Sequence, residues 1–136
     1  MIEIKAPDSI LQHPHMRTVF LAGSIDTGKA EPWREKLMKE FKNSDIIFFN
    51  PRRDDWDSSW KQDIDNKQFN EQVTWELSHL ENVNKVIFYF DGNTQSPITL
   101  MELGYTLGNL IFSKRQVFVY CPDKYFRKGK CRHYLC

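Results

Sequence analysis

Four short apolar runs punctuate the chain: TVFLA at Thr18–Ala22, DIIFF at Asp45–Phe49, KVIFYF at Lys85–Phe90 and QVFVYC at Gln116–Cys121. They are rich in β-branched and aromatic residues, and none alternates cleanly with polar positions. That pattern predicts strands covered on both faces, as in a parallel sheet. Helical periodicity fills the intervals. Glu31–Lys42 lines up Trp33, Leu37, Met38 and Phe41, with Pro32 suited to a first turn; Lys67–Glu81 lines up Phe69, Val73, Leu77 and Leu80; Ile98–Leu110 lines up Leu100, Leu103, Leu107 and Leu110. Alternating strands and helices predict an α/β domain with a mostly parallel sheet and helices on both faces. IEIK, within the first 17 residues, is a further edge-strand candidate.

A chain of 136 residues is enough for one domain with one core. We therefore expect a single domain over 1–136, with an N-terminal extension (1–17) and a basic C-terminal tail (123–136) that is loosely structured or oligomer-contacting. The net charge of +1 gives no general attraction to nucleic acid polymers or membranes. The N-terminus does not resemble a signal peptide, and no apolar run approaches the roughly 20 residues of a membrane span. Cys121, Cys131 and Cys136 make a poor disulfide framework, so a reducing, cytoplasmic setting is expected. Cys131, His133 and Cys136 match no structural zinc spacing, and no metal or cofactor is expected.

In an open parallel sheet, ligands bind beyond the carboxyl ends of the strands. The segments leaving the four runs begin GSIDTGKA at Gly23, NPRRDDW at Asn50, DGNTQSPITLME at Asp91 and PDK at Pro122. The first, with Gly23, Ser24 and Lys29, is either an anion-cradling loop or a simple tight turn. The long polar stretch Asp54–Asn66, with Trp56 and Trp60, is a candidate lid or a surface excursion pinned by its tryptophans. Glu76 falls inside the apolar stripe of its helix, where a carboxylate is costly unless paired or used. Glu102 lies off the leucine stripe, close to the start of its helix, where the dipole favours the ionised form. Pro97 sets that first turn, and Thr94 and Ser96 are candidate caps.

FLAGSI at Phe20–Ile25, NPRR at Asn50–Arg53, WEL at Trp75–Leu77 and SPITLMELGYTLG at Ser96–Gly108 together resemble the nucleoside 2-deoxyribosyltransferase superfamily, most closely its shorter, nucleoside 2-deoxyribosyltransferase-like branch. The resemblance covers roughly residues 18–130. It implies a flavodoxin-like or Rossmann-like three-layer sandwich around a four- to five-stranded parallel sheet. It also implies Glu102 as a nucleophile that attacks C1′ of a deoxyribose and forms a glycosyl-enzyme ester. Glu76 then orients substrate, and Asp91 is the candidate for proton transfer to the base. Transferases usually carry Asp where this chain has Ser96, so Asp91, or a water held by Ser96 and Thr94, takes that role. Asn50 and Arg52 are expected to meet the base edge, with Phe20 or Trp56 stacking on it. Ser24, Lys29 and Arg53 are candidates for a 5′-phosphate, and Gly23, Ser96 and Met101 complete the expected substrate-binding set.

The expected partners are a nucleoside or nucleotide substrate, a free nucleobase as acceptor, and further copies of the chain in a homo-oligomer. Base transfer leads. Hydrolysis of 2′-deoxynucleoside 5′-monophosphates, as the superfamily's N-glycosidases perform it, and non-catalytic nucleotide binding are the alternatives.

Overall fold

The computed structural model describes residues 1–9, 15–24 and 30–135, with the side chains of 111 and 132–135 left aside. The elements run β1 (Ile2–Lys5), β2 (Arg17–Gly23), α1 (Trp33–Glu40), β3 (Ile46–Asn50), α2 (Lys67–Asn82), β4 (Lys85–Tyr89), α3 (Pro97–Gly108), a 3₁₀ turn (Leu110–Phe112), β5 (Gln116–Tyr120) and α4 (Lys128–Leu135). All five strands are parallel, in the order β1-β3-β2-β4-β5. This is the α/β architecture the sequence pattern predicts and the flavodoxin-like fold the family resemblance implies, and IEIK is the edge strand β1.

Strand residues alternate between the two faces of the sheet. Phe20, Ala22, Ile47, Phe49, Val86 and Phe88 point to one face, where they pack with Trp75 and Leu80 of α2, Leu103 of α3 and Cys131 of α4. Val19, Leu21 and Phe48 point to the other and pack under Trp33 and Met38 of α1. Continuous apolar strands are thus explained by helices on both sides. Coverage on the α1 side stops short of β5, where Phe118 and Tyr120 stay exposed.

Two helical stripes differ from the predicted ones. On α2 the buried positions are Gln72, Trp75 and Leu80, and Leu77 is exposed. Trp75 displaces the leucine because its indole fills the space beside Phe20 and Phe49, with ring centroids 6.1 and 6.0 Å away. On α3 the buried positions are Thr99, Leu103 and Thr106, with Leu100 and Leu107 half-buried. The C-terminal segment is also not loose. Tyr125 and Cys131 are buried in the core, the Tyr125 ring lies 4.8 Å from that of Phe90, and α4 follows. Aromatic burial of this size holds the segment despite its charge. Among the described residues, no group of three His, Cys, Asp or Glu side chains is placed to hold a metal ion, and no helix is long and apolar enough to cross a membrane. Cys136 and the His133 side chain lie outside the described residues.

The chain order reverses between β2 and β4: from β2 the chain crosses to β3 on one side, then returns past β2 to β4 on the other. The carboxyl ends of β2 and β4 therefore flank a topological switch point, the place where open α/β sheets form their ligand crevices. Phe88 of β4 is fully buried beneath this point. Phe88→Ala is expected to lower stability by about 3–5 kcal/mol in urea unfolding, with an unchanged dependence on denaturant.

Candidate active site

The crevice is built around Arg34. This residue follows Trp33 on α1 and is only 4% exposed. Its guanidinium donates from Nε to the Leu21 carbonyl at 3.2 Å, from Nη2 to Gly23 at 2.9 Å and from Nη1 to Ser24 at 3.3 Å. It also lies over the Trp33 ring, 4.5 Å from the centroid. These bonds hold the end of β2, where the sheet stops supplying partners for the backbone. Burial pulls the Arg34 pKa down to about 10, against the opposing attraction of Glu102, Glu35 and Glu76.

Glu102 and Glu76 share this charge. Burial, and next the charge of Glu76, push the Glu102 carboxyl up to about 8, while Arg34 pulls it down. Burial also raises the Glu76 pKa, against a hydrogen bond from Gln72 and the charge of Arg34. Gln72 is itself buried, and its Nε2 donates to the Pro51 carbonyl at 2.8 Å and to Glu76 Oε1 at 2.7 Å. One amide thus ties the exit of β3 to the acid on α2. Two carboxyls that lose hydration and feel one another's charge resist being ionised together, and the charge of Arg34 eases that cost. The helix-dipole expectation for Glu102 does not carry through. The helix begins at Pro97 and has no acid in its first turn, so Glu102 falls in the second, where burial outweighs the dipole.

A second polar group lies where α3 begins. Ser24 Oγ is 2.5 Å from Ser96 Oγ and accepts from Thr94 Oγ1 at 2.8 Å; Thr94 and Ser96 are 2.7 Å apart. Ser96 occupies the helix N-cap position with left-handed backbone angles (φ 48°, ψ 53°) and makes no capping bond through its side chain. Such a backbone costs about 1 kcal/mol in a non-glycine residue, and here it accompanies a hydroxyl turned to Ser24 and Thr94 instead of into the helix.

Asp91 is close by but occupied. Its Oδ2 accepts from the Glu31 N–H at 3.0 Å and its Oδ1 from the Asn93 N–H at 2.8 Å, while its own N–H donates to Ser24 Oγ at 3.1 Å. Burial alone would raise its pKa, but the Glu31 and Asn93 N–H groups and the charge of Lys124 prevail and hold it below the usual carboxylate range. Asp91 joins the approach to α1 to the turn after β4, and stays ionised.

Other expected site residues are placed away from this group or bound within the protein. Phe20 is fully buried, so it presents no face for stacking. Asn50 donates from Nδ2 to Glu3 Oε1 at 2.7 Å and accepts the Arg52 N–H at 3.1 Å, which closes both ends of its amide. Arg53 is held by both Asp55 oxygens at 2.9 Å and by Glu71 at 3.0 Å, and lies 5.3 Å from the Trp60 ring centroid. It pins the 54–66 loop and has little left for a phosphate. Arg52 is exposed and paired with Glu35 at 3.3 Å. Trp56 is exposed, with Trp60 against it edge-on at 5.2 Å, and Met101 is exposed next to Glu102. Lys29 lies outside the described residues.

The structure thus brings together Glu76, Glu102, Ser24, Thr94 and Ser96, along with two residues not singled out from the sequence: Arg34 and Gln72. Arg34 had a readable signal. It lies three, four and seven positions before Leu37, Met38 and Phe41, so it falls within the apolar stripe, as Glu76 does on α2.

A model of the family described as nucleoside 2-deoxyribosyltransferase like matches residues 16–125. The chain belongs to that family. No curated protein sequence matches it. The matched span contains the nucleoside 2-deoxyribosyltransferase-like chain from before β2 through Tyr125, and so includes every residue of the crevice named above.

Two outcomes follow from this geometry. Above the ordinary glutamate pKa of 4.5, the unfolded chain ionises Glu102 while the native one retains its proton up to about 8. Stability should therefore fall as pH rises from 4.5 to 8 and level off above it. Glu102→Gln should remove this component, so that urea unfolding near pH 8 finds the variant more stable than wild type, with little difference near pH 4. A Cβ added at Gly23 would lie 2.6 Å from the Tyr89 carbonyl oxygen and 2.7 Å from the Trp33 ring. Gly23→Ala is expected to cost about 1–3 kcal/mol by overpacking, measured by the same method.

Proposed function

We propose that this protein cleaves the N-glycosidic bond of 2′-deoxynucleosides or deoxynucleotides and passes the deoxyribosyl group to a second base, with Glu102 as the nucleophile. The observation that carries this reading is the half-buried, electrostatically coupled carboxyls of Glu76 and Glu102 with the charge of Arg34 at the switch point of the sheet, within the family-matched span. Ionised Glu102 attacks C1′, and its oxygen forms the new C–O bond. The C1′–N bond breaks with its electron pair going to the base nitrogen. Glu76, raised in pKa, holds the proton that neutralises the departing base. The incoming base then attacks C1′, its proton returns to Glu76, and Glu102 leaves as carboxylate. Oxocarbenium-like charge at C1′ is stabilised by the carboxylate beneath it.

This assigns the acid role to Glu76 instead of Asp91, because Asp91 is engaged at both oxygens and held ionised. Arg34 preserves charge balance when the pair loses its proton. Trp56, exposed on the 54–66 loop, and Met101 are the side chains left free to border the sugar and base.

The hydroxyls of Ser24, Thr94 and Ser96 favour a second reading. Three clustered hydroxyls at the start of α3 suit the oxygens of a 5′-phosphate, which points to monophosphate substrates and to water as the acceptor. Chromatography of incubations with deoxynucleosides and deoxynucleotides, with and without a free base, separates the two: exchanged nucleosides mark transfer, and free sugar phosphate marks hydrolysis. Absence of turnover at high enzyme concentration would leave only a binding role.

Glu102→Gln is expected to reduce turnover by at least about a thousandfold. Because Glu102 must be ionised while Glu76 keeps a proton, kcat/KM should follow a bell-shaped pH profile that falls away once both carboxyls are ionised above about 8, the Glu102 pKa in the free protein. Turnover of the variant at the wild-type rate would remove Glu102 from the reaction.

A further inference from the structure

We propose a second ligand site, at the opposite end of the sheet from Glu102, that binds the phosphates of a nucleoside diphosphate or triphosphate. At the amino-terminal ends of β2, β4 and β5 lies a cavity of about 460 Å³ lined by Arg17, Asn84, Lys85, Lys114 and Gln116. Among the described residues, no carboxylate lines it. Among the described residues, none of its three cations takes part in an ion pair. Three neighbouring positive charges repel one another, and an anion between them relieves that cost.

The two amides present donors as well. Asn84 Oδ1 accepts from the Thr18 N–H at 2.9 Å and from Thr18 Oγ1 at 3.0 Å. A backbone N–H can only donate, so the oxygen of Asn84 is fixed toward Thr18 and its NH₂ is the free end. Gln116 Oε1 accepts from Lys85 Nζ, which likewise leaves the Gln116 NH₂ free. The cavity therefore offers guanidinium, ammonium and amide N–H groups, with the side-chain oxygens of both amides already taken. A set of donors with no competing acceptor side chain selects a polyvalent oxyanion.

The strand register supplies the case for a base. Val19 is paired with Lys85 and Lys85 with Gln116. Arg17, Lys85 and Gln116 thus share the α1 side of the sheet, and Phe118 follows Gln116 on that side, roughly 7 Å along the strand. Lys85 Nζ is 5.4 Å from the Phe118 ring centroid, and Phe118 is 49% exposed because α1 does not reach β5. An open aromatic ring beside a donor-lined cavity has the spacing for a nucleobase stacked on Phe118 with its phosphates among Arg17, Lys85 and Lys114.

The test is an amide-resolved NMR titration of the full chain with ADP, pyrophosphate and adenosine. ADP should shift the signals of residues 17–19, 84–86 and 114–118, adenosine should leave them in place, and pyrophosphate should bind more weakly than ADP. Arg17→Gln with Lys114→Gln, both at exposed positions, should weaken ADP binding by about tenfold or more with an unchanged melting temperature. Glu102→Gln should leave it unaltered, which separates this site from the proposed glycosyl chemistry. The proposal is overturned if ADP shifts only residues at the carboxyl ends of the strands, or shifts none at millimolar concentration. It is equally overturned if the double variant binds as wild type does. Pyrophosphate binding as tightly as ADP would remove the base from the site and with it the nucleotide assignment.

Discussion

The crevice depends on a guanidinium held out of water. Arg34 places its hydrogen bonds on three backbone carbonyls at the end of β2, those of Leu21, Gly23 and Ser24, and its charge acts with Glu102, Glu35 and Glu76. A buried cation is tolerated only when paired and bonded, and a buried pair of acids only when a cation is near. Each makes the other possible. Elements far apart in the chain, α1, α2 and α3, are thereby committed to one arrangement at the end of β2. Arginine suits this position better than lysine, because its planar donors reach several carbonyls at once while the charge stays delocalised.

Around that centre the polar groups divide by what they already hold. Asp91 is bonded at both oxygens and Asn50 at both ends of its amide, and Arg53 is gripped by two acids. These residues shape the loops. Glu76 and Glu102 have pKa values lifted by burial, and Ser24, Thr94 and Ser96 bond mostly among themselves. Groups with costly protonation states and exchangeable partners are the ones through which a site can do chemistry.

The two ends of the sheet differ in character for a related reason. At the carboxyl ends, Glu76 and Glu102 lie half-buried among the helices and burial raises the pKa of each, while N–H donors hold Asp91 ionised. At the amino-terminal ends, Arg17 and Lys114 remain exposed to water, and α1 covers β2 and β3 but leaves β5 open. The same sheet thus has carboxyls of raised pKa beyond one end and a group of basic side chains at the other.

The sequence by itself determined the strands, the helices, their order and the parallel sheet, because apolar runs and helical spacing record burial locally, along the chain. It also marked Glu76 and Glu102, since a carboxylate within or beside an apolar stripe stands out, and four motifs between Phe20 and Gly108 together carried the family resemblance that the match over 16–125 supports. Tertiary structure decided what local patterns do not encode. Whether Asn50 and Arg53 face a ligand or another side chain depended on Glu3, Asp55 and Glu71, which reach them only after folding. The displacement of Leu77 by Trp75, the docking of Tyr125, and the rise of the Glu102 pKa against the pull of its helix all turn on packing between distant segments. Hydrogen-bond partnership and desolvation are properties of the assembled interior, and they come into being only when the chain closes around them.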